Sequence, residues 1–476
     1  MNLSLLIPEW AIVATLAILT FFELFQFNQE AAVKKIRNLL QLSGCIAVLA
    51  ALVSVHAKTE TAFNGTYIAD PFALFFKVLF LAAGGTVIQT TREFFYQRQQ
   101  KATEFYLVTW VTLAGFFLLV SANDILIFFL ALETVTLGFY ILNAYLKNEA
   151  NAIEAGMKYF IMGSLASAVL IFGASLLYAS SGSTLFPEIR SAFLRNPEDP
   201  LLVSGALMML VGLFFKAGAV PFQFWIPDVY QGAPTPAVSF LATASKTAAF
   251  AAILRLAYTV FSPLEFKLVS VFGTLAFLTL LYGNLGALKQ TNIKRLMGYS
   301  SIGHAGYLFL GLAAGKSFGA SAVLFYLAAY TVTSLALFLC ITIASRELAS
   351  DEISSYRGLA QKSPFLAGMI FLCLLSSAGV PPLVGFSGKF LVLLAAMKAN
   401  LILLTLVASI LVVVALYYYM AFVRTLYFEK PVSETPISVC PVSKVVLSFL
   451  AFLIVALGIF QAPLFNAAQQ ASRYLF

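Results

Sequence analysis

The chain has 476 residues, of which 61% are hydrophobic and 11% are charged, and its formal net charge is +8. Soluble domains are about 25% charged, so this composition excludes an ordinary soluble protein. Apolar segments of about 20 residues recur along the whole chain, and each is long enough to cross the hydrocarbon core as a helix. The sequence therefore predicts an all-α polytopic membrane protein.

We expect about 14 transmembrane helices, because the apolar windows suit helices rather than alternating strands. The N-terminal stretch MNLSLLIPEWAIVATLAILTFFELF lacks the basic segment and short apolar core of a cleaved signal peptide, so we interpret it as the first span. The predicted spans are centred near Ala14, Ala47, Leu81, Ala114, Thr134, Ser167, Leu210, Thr247, Leu275, Ile302, Ala329, Cys373, Val412 and Val455. No connection is long enough for a soluble domain.

The lysines and arginines are distributed unevenly among the predicted loops. Loops after odd-numbered spans carry sixteen of the 29 basic residues, whereas the other loops and the termini carry seven. The positive-inside rule then predicts odd loops in the cytoplasm and both termini on the periplasmic side of a bacterial inner membrane. The other six lie within or near spans: Lys77, Lys158, Lys216, Lys246, Arg255 and Lys389. We expect Lys77 and Arg255 to snorkel to the membrane interface, since they lie near span ends.

Glu133 lies in the middle of the apolar run LIFFLALETVTLGFY. A charge at the bilayer centre costs roughly 2.5–3.5 kcal/mol on insertion scales, so a partner or a functional role is expected. Lys216 ends another apolar run, LMMLVGLFFKAGAVPFQFWIPDVYQGAPTPAVSF, just before it breaks into glycines and prolines. A similar break, LLSSAGVPPLVGFSGKFLVLLAAM, precedes Lys389. Paired interruptions of this kind indicate an internal repeat like those of secondary transporters.

Three further titratable residues also have polar neighbours at helical spacing. These are Lys246 after Ser239 and Thr243, His304 near Ser300, Ser301 and Tyr307, and Lys158 one turn after Glu154. Burial disfavours the charged form of a lysine or carboxylate, while a nearby opposite charge favours it. Such a series suits proton movement. We hypothesise that Glu133, if it is close to Lys216, sets the proton affinity of that lysine, which can then pass its proton to Lys246.

A redox site is not expected in the chain. The four cysteines are scattered without a CxxC pair, and the two histidines are far apart, so no haem, zinc or iron–sulfur site is predicted. The charged residues have a plainer interpretation too, as charges paired for helix packing or turned towards an interface.

Three stretches resemble signatures of the antiporter-like membrane subunits of respiratory complex I, NADH-quinone oxidoreductase. They are KAGAVPFQFWIPDVYQGAPTPAVSFLATASK, NIKRLMGYSSIGHAGY and GVPPLVGFSGKF, and the resemblance covers essentially the whole chain. It implies 14 helices with two inverted five-helix repeats, each containing a broken helix. It also implies this division: an N-terminal three-helix segment 1–103, a first repeat 104–262 (helices 4–8), a second repeat 263–430 (helices 9–13) and C-terminal helix 14 in 431–476.

The resemblance also implies which residues translocate protons. They are Glu133 of helix 5, Lys158 of helix 6, Lys216 of broken helix 7, Lys246 of helix 8, His304 of helix 10 and Lys389 of broken helix 12. The chain is most similar to the N-type subunit, because the M-type has glutamate in place of Lys389. Its end soon after the fourteenth span leaves no room for the lateral helix of the L-type. Gln223 stands where many relatives have histidine, so we assign it no role.

The expected function is therefore that of a non-redox, proton-translocating subunit driven by electron transfer elsewhere. The resemblance implies flavin, iron–sulfur clusters and quinone in partner subunits, and partners that include other antiporter-like subunits but no nucleic acid. Two alternatives stay open. One is the large subunit of a multi-subunit Na⁺/H⁺ antiporter, and the other is a structural membrane scaffold.

Overall fold

The computed structural model describes residues 3–24, 30–55, 60–96, 98, 102–315, 317–431 and 436–476. For residues 30–35, 55 and 317, which include Lys34 and Lys35, the structure describes the helical backbone but not the side chains. Of the basic residues counted for the topology prediction, Lys58, Lys101 and Lys316 lie outside the described residues.

The described chain is almost entirely helical, apart from one short hairpin. The helices, in chain order, are α1 (Ile7–Leu24), α2 (Glu30–Val55), α3 (Pro71–Phe95), α4 (Thr103–Ser121), α5 (Ile125–Asn143), α6 (Ala150–Ser181), α7 (Phe186–Arg195), α8 (Pro200–Ala217), α9 (Trp225–Gly232), α10 (Thr235–Phe240), α11 (Lys246–Arg255), α12 (Glu265–Ala287), α13 (Ile293–Ala313), α14 (Ser317–Leu348), α15 (Leu359–Lys362), α16 (Pro364–Ala378), α17 (Val384–Lys398), α18 (Ile402–Phe428), α19 (Pro441–Ile459) and α20 (Ala462–Ser472). Strands β1 (Glu60–Ala62) and β2 (Tyr67–Ala69) pair antiparallel.

Twelve helices in the described part of the chain are long and apolar enough to cross a membrane. The predicted polytopic membrane protein is thereby confirmed in its broad form. The predicted spans near Ile302 and Cys373 are not among the twelve: they correspond to α13 and to the 15-residue helix α16. The count of 14 spans and the inverted repeats therefore stay predictions.

The two ends of the helix bundle are distinguished by their connections. One end, which we call the hairpin face, carries β1–β2 and α7, joined by the bridges Tyr67↔Ala122 and Asp124↔Leu185. The opposite face carries loop 144–149 and the bridge between Asn292 and Glu352.

On the hairpin face, the loop between α7 and α8 is tied to the end of α6. The Asp199 side chain caps the first turn of α8, and the Ser180 hydroxyl donates to its carboxylate at 2.7 Å. That hydrogen bond, with the one from the α8 backbone, holds the pKa of Asp199 below its ordinary value. The helix connection is thus fixed by a charged N-cap.

Two helices form the centre of the bundle. The span Thr235–Val260, made of α10, a π-helical segment Leu241–Ser245, α11 and a second π-helical segment Leu256–Val260, is buried throughout its apolar window. The same is true of α14, which packs against α3, α13, α16, α17 and α19. The outer helices α1, α2 and α19 instead expose most of their apolar side chains, which suits contact with lipid.

The charged ends of Lys77 and Arg255 do not extend to the surface of the bundle. Their exposed fractions are 4% and 5%, and each is paired with a carboxylate: Lys77 with Glu9 at 2.6 Å and Arg255 with Asp70 at 2.7 Å. The snorkelling prediction was wrong because both partners come from sequence-distant segments that local spacing does not reveal.

Candidate functional site

Lys216 lies at the break between α8 and α9. Helix α8 ends at Gly218, whose φ of +77° is a left-handed conformation that glycine adopts without strain. A cis Val220–Pro221 peptide bond follows, and the chain resumes its helix at Trp225. The Trp225 indole N–H donates to the Phe215 carbonyl at 3.1 Å, so the second half of the break satisfies a carbonyl of the first.

The Lys216 ammonium is held by a hydroxyl and aromatic rings. Its Nζ donates to Thr136 Oγ1 at 2.8 Å and lies 5.6 Å from the ring centres of Tyr159 and Phe215. Lys216 is buried, with an exposed fraction of 6%. Hydroxyl and ring contacts stabilise the ammonium without fixing its charge as a carboxylate would.

Glu133 and Lys216, whose pairing was hypothesised only if they lie close together, do not bond to each other directly. Among the described residues, no carboxylate oxygen lies within 4 Å of the Lys216 ammonium, and Glu133 instead accepts a hydrogen bond from the Ser167 hydroxyl of α6 at 2.6 Å. Glu133 is half-buried. Thr136 lies three residues further along α5, on the same helix face, and takes the place next to the lysine. The carboxylate is therefore a neighbour of the lysine's partner rather than the partner itself.

Lys246 lies at the centre of the bundle, directly after the first π-helical segment. Its Nζ donates to both the carbonyl and the hydroxyl of Ser301 on α13, and it faces the Tyr330 ring of α14 at 5.6 Å. The Ser301 hydroxyl is also 3.2 Å from the hydroxyl of Tyr230 on α9. Lys246 therefore connects three helices through one serine.

The polar residues predicted beside Lys246 are present on the same helix, but the Thr243 hydroxyl bonds to the helix backbone. The Thr243 hydroxyl donates to the Ser239 carbonyl at 2.6 Å, which is the common backward bond of a helical threonine. The Ser239 hydroxyl is buried and has no hydrogen-bond partner among the described residues.

His304 lies between two tyrosine hydroxyls. A hydrogen bond of 2.6 Å joins its Nδ1 to Tyr326 of α14, and a longer one of 3.4 Å joins its Nε2 to Tyr419 of α18. Tyr419 is in turn 2.5 Å from the Ser300 hydroxyl. Tyr307, expected near the histidine, bonds to the Ala408 carbonyl at 2.9 Å. His304 is therefore the middle of a hydroxyl–imidazole–hydroxyl chain.

Lys389 lies at the second break, between α16 and α17. Helix α16 ends at Gly379, with a φ of +89°, and a cis Pro381–Pro382 bond follows. The Lys389 Nζ donates to the carbonyl of Ala378, the last residue of α16, at 3.1 Å and lies 5.0 Å from the Tyr307 ring centre. A cation at a helix C-terminus is favourable because the carbonyls there carry partial negative charge.

Lys158 differs from the other lysines because 40% of its side chain is exposed. It forms ion pairs with Glu154 at 2.7 Å, as the spacing predicts, and with Asp228 of α9 at 2.6 Å. Asp228 also pairs with Arg295 of α13 at 2.6 Å. These residues line a cavity of about 270 Å³ that extends to Gly232 at the end of α9.

A larger cavity, of about 400 Å³, opens on the face of the bundle opposite the hairpin face. Its lining includes Pro234 and Thr235 at the start of α10, Lys294 of α13 and Arg346 of α14. The cavity therefore reaches the end of the central span that carries Lys246.

The sequence did not indicate several of the polar partners in the site: Thr136, Ser167, Asp228, Tyr326 and Tyr419. The chain has 20 tyrosines and many hydroxyl residues, so a single buried hydroxyl is no signal. Asp228 is the one partner that a sequence signal could have revealed, because it is an acidic residue inside the first broken segment.

Comparisons with known proteins agree over nearly the full length. A family model described as NADH:quinone oxidoreductase/Mrp antiporter, TM, matches residues 122–415. NADH-quinone oxidoreductase subunit N of Paramagnetospirillum magneticum is 38% identical, covering 100% of this chain and 98% of that protein. A chain of respiratory complex I from Thermus thermophilus with bound aureothin superimposes with a TM-score of 0.82 at 32% identity, covering 97% of this chain and 99% of that one.

A chain of the Mrp complex from Dietzia sp. has a TM-score of 0.85 at 19% identity, covering 100% of this chain and 98% of that one. At that identity the likeness shows the fold alone.

Proposed function

Since the chain belongs to the NADH:quinone oxidoreductase/Mrp antiporter transmembrane family, with relatives named NADH-quinone oxidoreductase subunit N, we propose that it is a proton-translocating subunit N of such an oxidoreductase. It has no redox role of its own. Electron transfer through flavin, iron–sulfur clusters and quinone takes place in partner subunits, and the resulting changes drive protons through this chain.

The observation that carries the proposal is the way in which three buried lysines are held. Lys216, Lys246 and Lys389 donate to hydroxyl or carbonyl oxygens, and among the described residues none of them has a carboxylate within 4 Å. A buried ammonium without an anion is not locked in its charged form, and a lysine can lose its proton when buried. Other buried cations of this chain, Lys77 and Arg255, do have carboxylate partners.

The contacts support an order for proton movement across the bundle. Lys246 donates a hydrogen bond to Ser301 of α13, and His304 lies three residues further along that helix. The Tyr330 ring lies against both the His304 ring and the Lys246 ammonium. The Lys389 ammonium faces the ring of Tyr307, which packs against Tyr326, the hydrogen-bond partner of His304. Glu133 lies one turn of α5 from Thr136, which holds the Lys216 ammonium. Protons pass along Lys216, Lys246, His304 and Lys389, and water molecules bridge the distances between these side chains.

Lys158 and Glu133 have supporting roles in this proposal. Glu133 biases the charge of Lys216 from its position beside Ser167, and Lys158 exchanges protons or partners with Asp228 at the smaller cavity. The cavity on the opposite face supplies protons to Lys246, because it reaches Thr235 and the unpartnered Ser239 hydroxyl is one turn further along the span.

The finer architecture completes the proposal. The chain has 14 spans with inverted repeats at 104–262 and 263–430, flanked by 1–103 and 431–476. It lies in the bacterial inner membrane with the hairpin face and both termini on the periplasmic side. It assembles with other antiporter-like subunits and with peripheral redox subunits.

The Lys216→Ala variant tests the proposal. We expect NADH-driven acidification of inverted membrane vesicles to fall about tenfold or more, as for loss of an acid–base group, while the complex still assembles. Lys398→Ala is the matched control, because Lys398 is an exposed lysine at the end of α17 and should leave pumping unchanged. Full pumping by the Lys216→Ala strain, with assembly verified by the amount of complex in the membrane, would overturn the proposal.

The large subunit of a Na⁺/H⁺ antiporter is the second candidate, favoured by the fold shared with the Mrp complex chain. It predicts that vesicles exchange Na⁺ for H⁺ without any NADH, and that the Lys216→Ala variant abolishes that exchange. A Na⁺ flux that requires no electron donor would favour this candidate over the first.

A further inference from the structure

Helix α3 carries a buried ion pair at its hairpin-face end. Asp70 caps the helix, and its two carboxylate oxygens accept hydrogen bonds from the Arg255 guanidinium at 2.7 and 3.0 Å. Arg255 also donates to the Val120 carbonyl at the end of α4, at 2.8 Å. Both partners are at least 95% buried. A two-pronged bond of this kind fixes orientation as well as distance.

A second ion pair, between the buried Glu93 and the half-buried Arg346, lies at the other end of the same helix. The Glu93 carboxylate is 2.5 Å from the Arg346 guanidinium, and it also accepts a hydrogen bond from the Ser443 hydroxyl of α19. Gln89, one turn earlier, donates to the same serine at 2.7 Å. Asp70 and Glu93 are about 35 Å apart at 1.5 Å per helical residue, so the two pairs lie at opposite faces of the bundle.

The two arginines belong to the two central helices, whose apolar windows are buried throughout. Arg255 lies in the span Thr235–Val260 and Arg346 lies in α14. Helix α3 packs along both of them, against α10, α11 and the first π-helical segment on one side and α14 on the other. It is thus joined to each central helix by packing and by one charged bond.

The central helices meet at a place that the proposed proton path uses. Lys246 faces the Tyr330 ring there, and the neighbouring Thr247 and Thr331 hydroxyls are 3.1 Å apart. Lys246 is the first residue of α11 and Arg255 the last, and a π-helical segment flanks α11 at each end. Because π-helical turns interrupt the regular hydrogen-bond pattern at both ends of α11, the Arg255 bond is a further constraint on the orientation of this helix.

We propose that the Asp70–Arg255 and Glu93–Arg346 pairs are positioning pairs, through which α3 braces the two central helices and sets the contact between Lys246 and Tyr330. The inference rests on the proposed function, because its effect is on proton transfer at Lys246. None of the four residues reacts with a proton; they act through the placement of Lys246.

The same helix offers a matched control. Lys77 of α3 forms an equally buried pair with Glu9 at 2.6 Å, supported by the Tyr67 hydroxyl at 2.9 Å. That pair reaches the outer helix α1 and not a central helix. If the brace acts through the central helices, removing the Glu9–Lys77 pair leaves proton transfer unchanged.

The experiment compares double variants that remove both charges of a pair, because leaving one charge buried and unpaired is what destabilises most. The variants are Asp70→Asn/Arg255→Gln, Glu93→Gln/Arg346→Gln, their combination, and the control Glu9→Gln/Lys77→Gln. The readout is the number of protons moved per NADH oxidised in membranes with a verified amount of assembled complex. A purely structural role lowers the amount of complex but not this ratio.

We expect each of the first two variants to lower the ratio about twofold or more, in the range seen for mutations along a coupling network. Their combination should lower it no further than the larger single effect, because both pairs set one contact. Arg255→Lys should recover part of the loss, since lysine keeps the charge but not the two-pronged bond. The control should have the ordinary ratio.

Three outcomes overturn the inference. They are an ordinary ratio in both double variants, an equal loss in the control, or failure of all brace variants, Arg255→Lys included, to assemble, which would assign the pairs to assembly. Lys216→Ala is measured alongside. If it pumps fully, the proposed function has failed; if it does not pump and the brace variants do, the brace alone has failed.

Discussion

At the scale of single residues, the buried and half-buried cations of the bundle fall into two groups. Lys77, Arg255 and Arg346 each have a carboxylate at 2.5–2.7 Å, so their charge is neutralised and their position fixed. Lys216 and Lys246 have hydroxyl and carbonyl partners in the described chain. The sequence presents four of them as charges within or near predicted spans, whereas Arg346 falls in a predicted loop. The partners named here, which decide between a structural and a proton-carrying role, all come from sequence-distant segments, although Arg346 also pairs with the adjacent Glu347.

Tyr419 provides a prediction at this scale. The Tyr419→Phe variant removes the hydroxyl that links Ser300 to His304 while leaving the ring in place. We expect proton pumping to fall by roughly threefold to tenfold, because a hydrogen bond contributes about 0.5–1.5 kcal/mol. The measurement is acidification of inverted vesicles per amount of assembled complex.

Tyr417→Phe is the control for that variant. Tyr417 is two residues away on α18 and its side chain is 68% exposed, so it should pump normally. Equal pumping by both variants would show that the Tyr419 hydroxyl takes no part in proton movement.

At the scale of elements, the two broken helices solve the same problem with different side chains. Each first half ends at a glycine with positive φ and exposes carbonyls that the second half must satisfy. The indole of Trp225 does so in the first break, and the Lys389 ammonium in the second. Lys216 therefore does not bond to a carbonyl at the break. Lys389 does so, in addition to its proposed place in the proton path.

The Gly379→Ala variant tests the second break. A methyl group at this positive φ costs about 1–2 kcal/mol, and it would also lie 3.0 Å from the Lys389 Cδ. We expect a lower thermal stability of the complex and reduced pumping, because Lys389 must move from the Ala378 carbonyl. Thermal unfolding and vesicle acidification are measured together.

Gly368→Ala is a control on the same helix. A methyl group there meets no atom within 4 Å, and alanine favours a helix over glycine by about 1 kcal/mol. Stability should be kept or slightly raised and pumping unchanged. If Gly379→Ala behaved like Gly368→Ala, the break would not depend on the left-handed glycine.

At the scale of the whole molecule, apolar outer helices enclose two central helices whose apolar windows are buried throughout. Subunit N of a redox-driven pump should leave the membrane together with its partners. We expect that extraction in a mild detergent brings flavin-bearing and iron–sulfur subunits with the chain in stoichiometric amount, detected by mass spectrometry and visible absorbance.

The same extraction distinguishes the alternative. Small hydrophobic partners with no chromophore would contradict the redox-driven pump and favour a cation antiporter. A harsh detergent, which strips subunits apart, serves as the control for stable association.

The sequence by itself determined the membrane character, the helical class, the two breaks and the titratable residues within the spans. Apolar runs of membrane length and Gly/Pro interruptions are local features, so they can be read without the fold. The family likeness, which the comparisons confirm, also follows from contiguous motifs.

The tertiary structure decided which charge meets which partner. The sequence left a Glu133–Lys216 pair conditional on their proximity, and in the structure the two bond to Ser167 and Thr136 instead. Lys77 and Arg255 are paired rather than snorkelling. Hydrogen bonds and ion pairs act over a few ångströms between residues far apart in sequence, such as Asp70 and Arg255. Helix packing alone brings such residues together, so periodicity along one helix does not contain the answer.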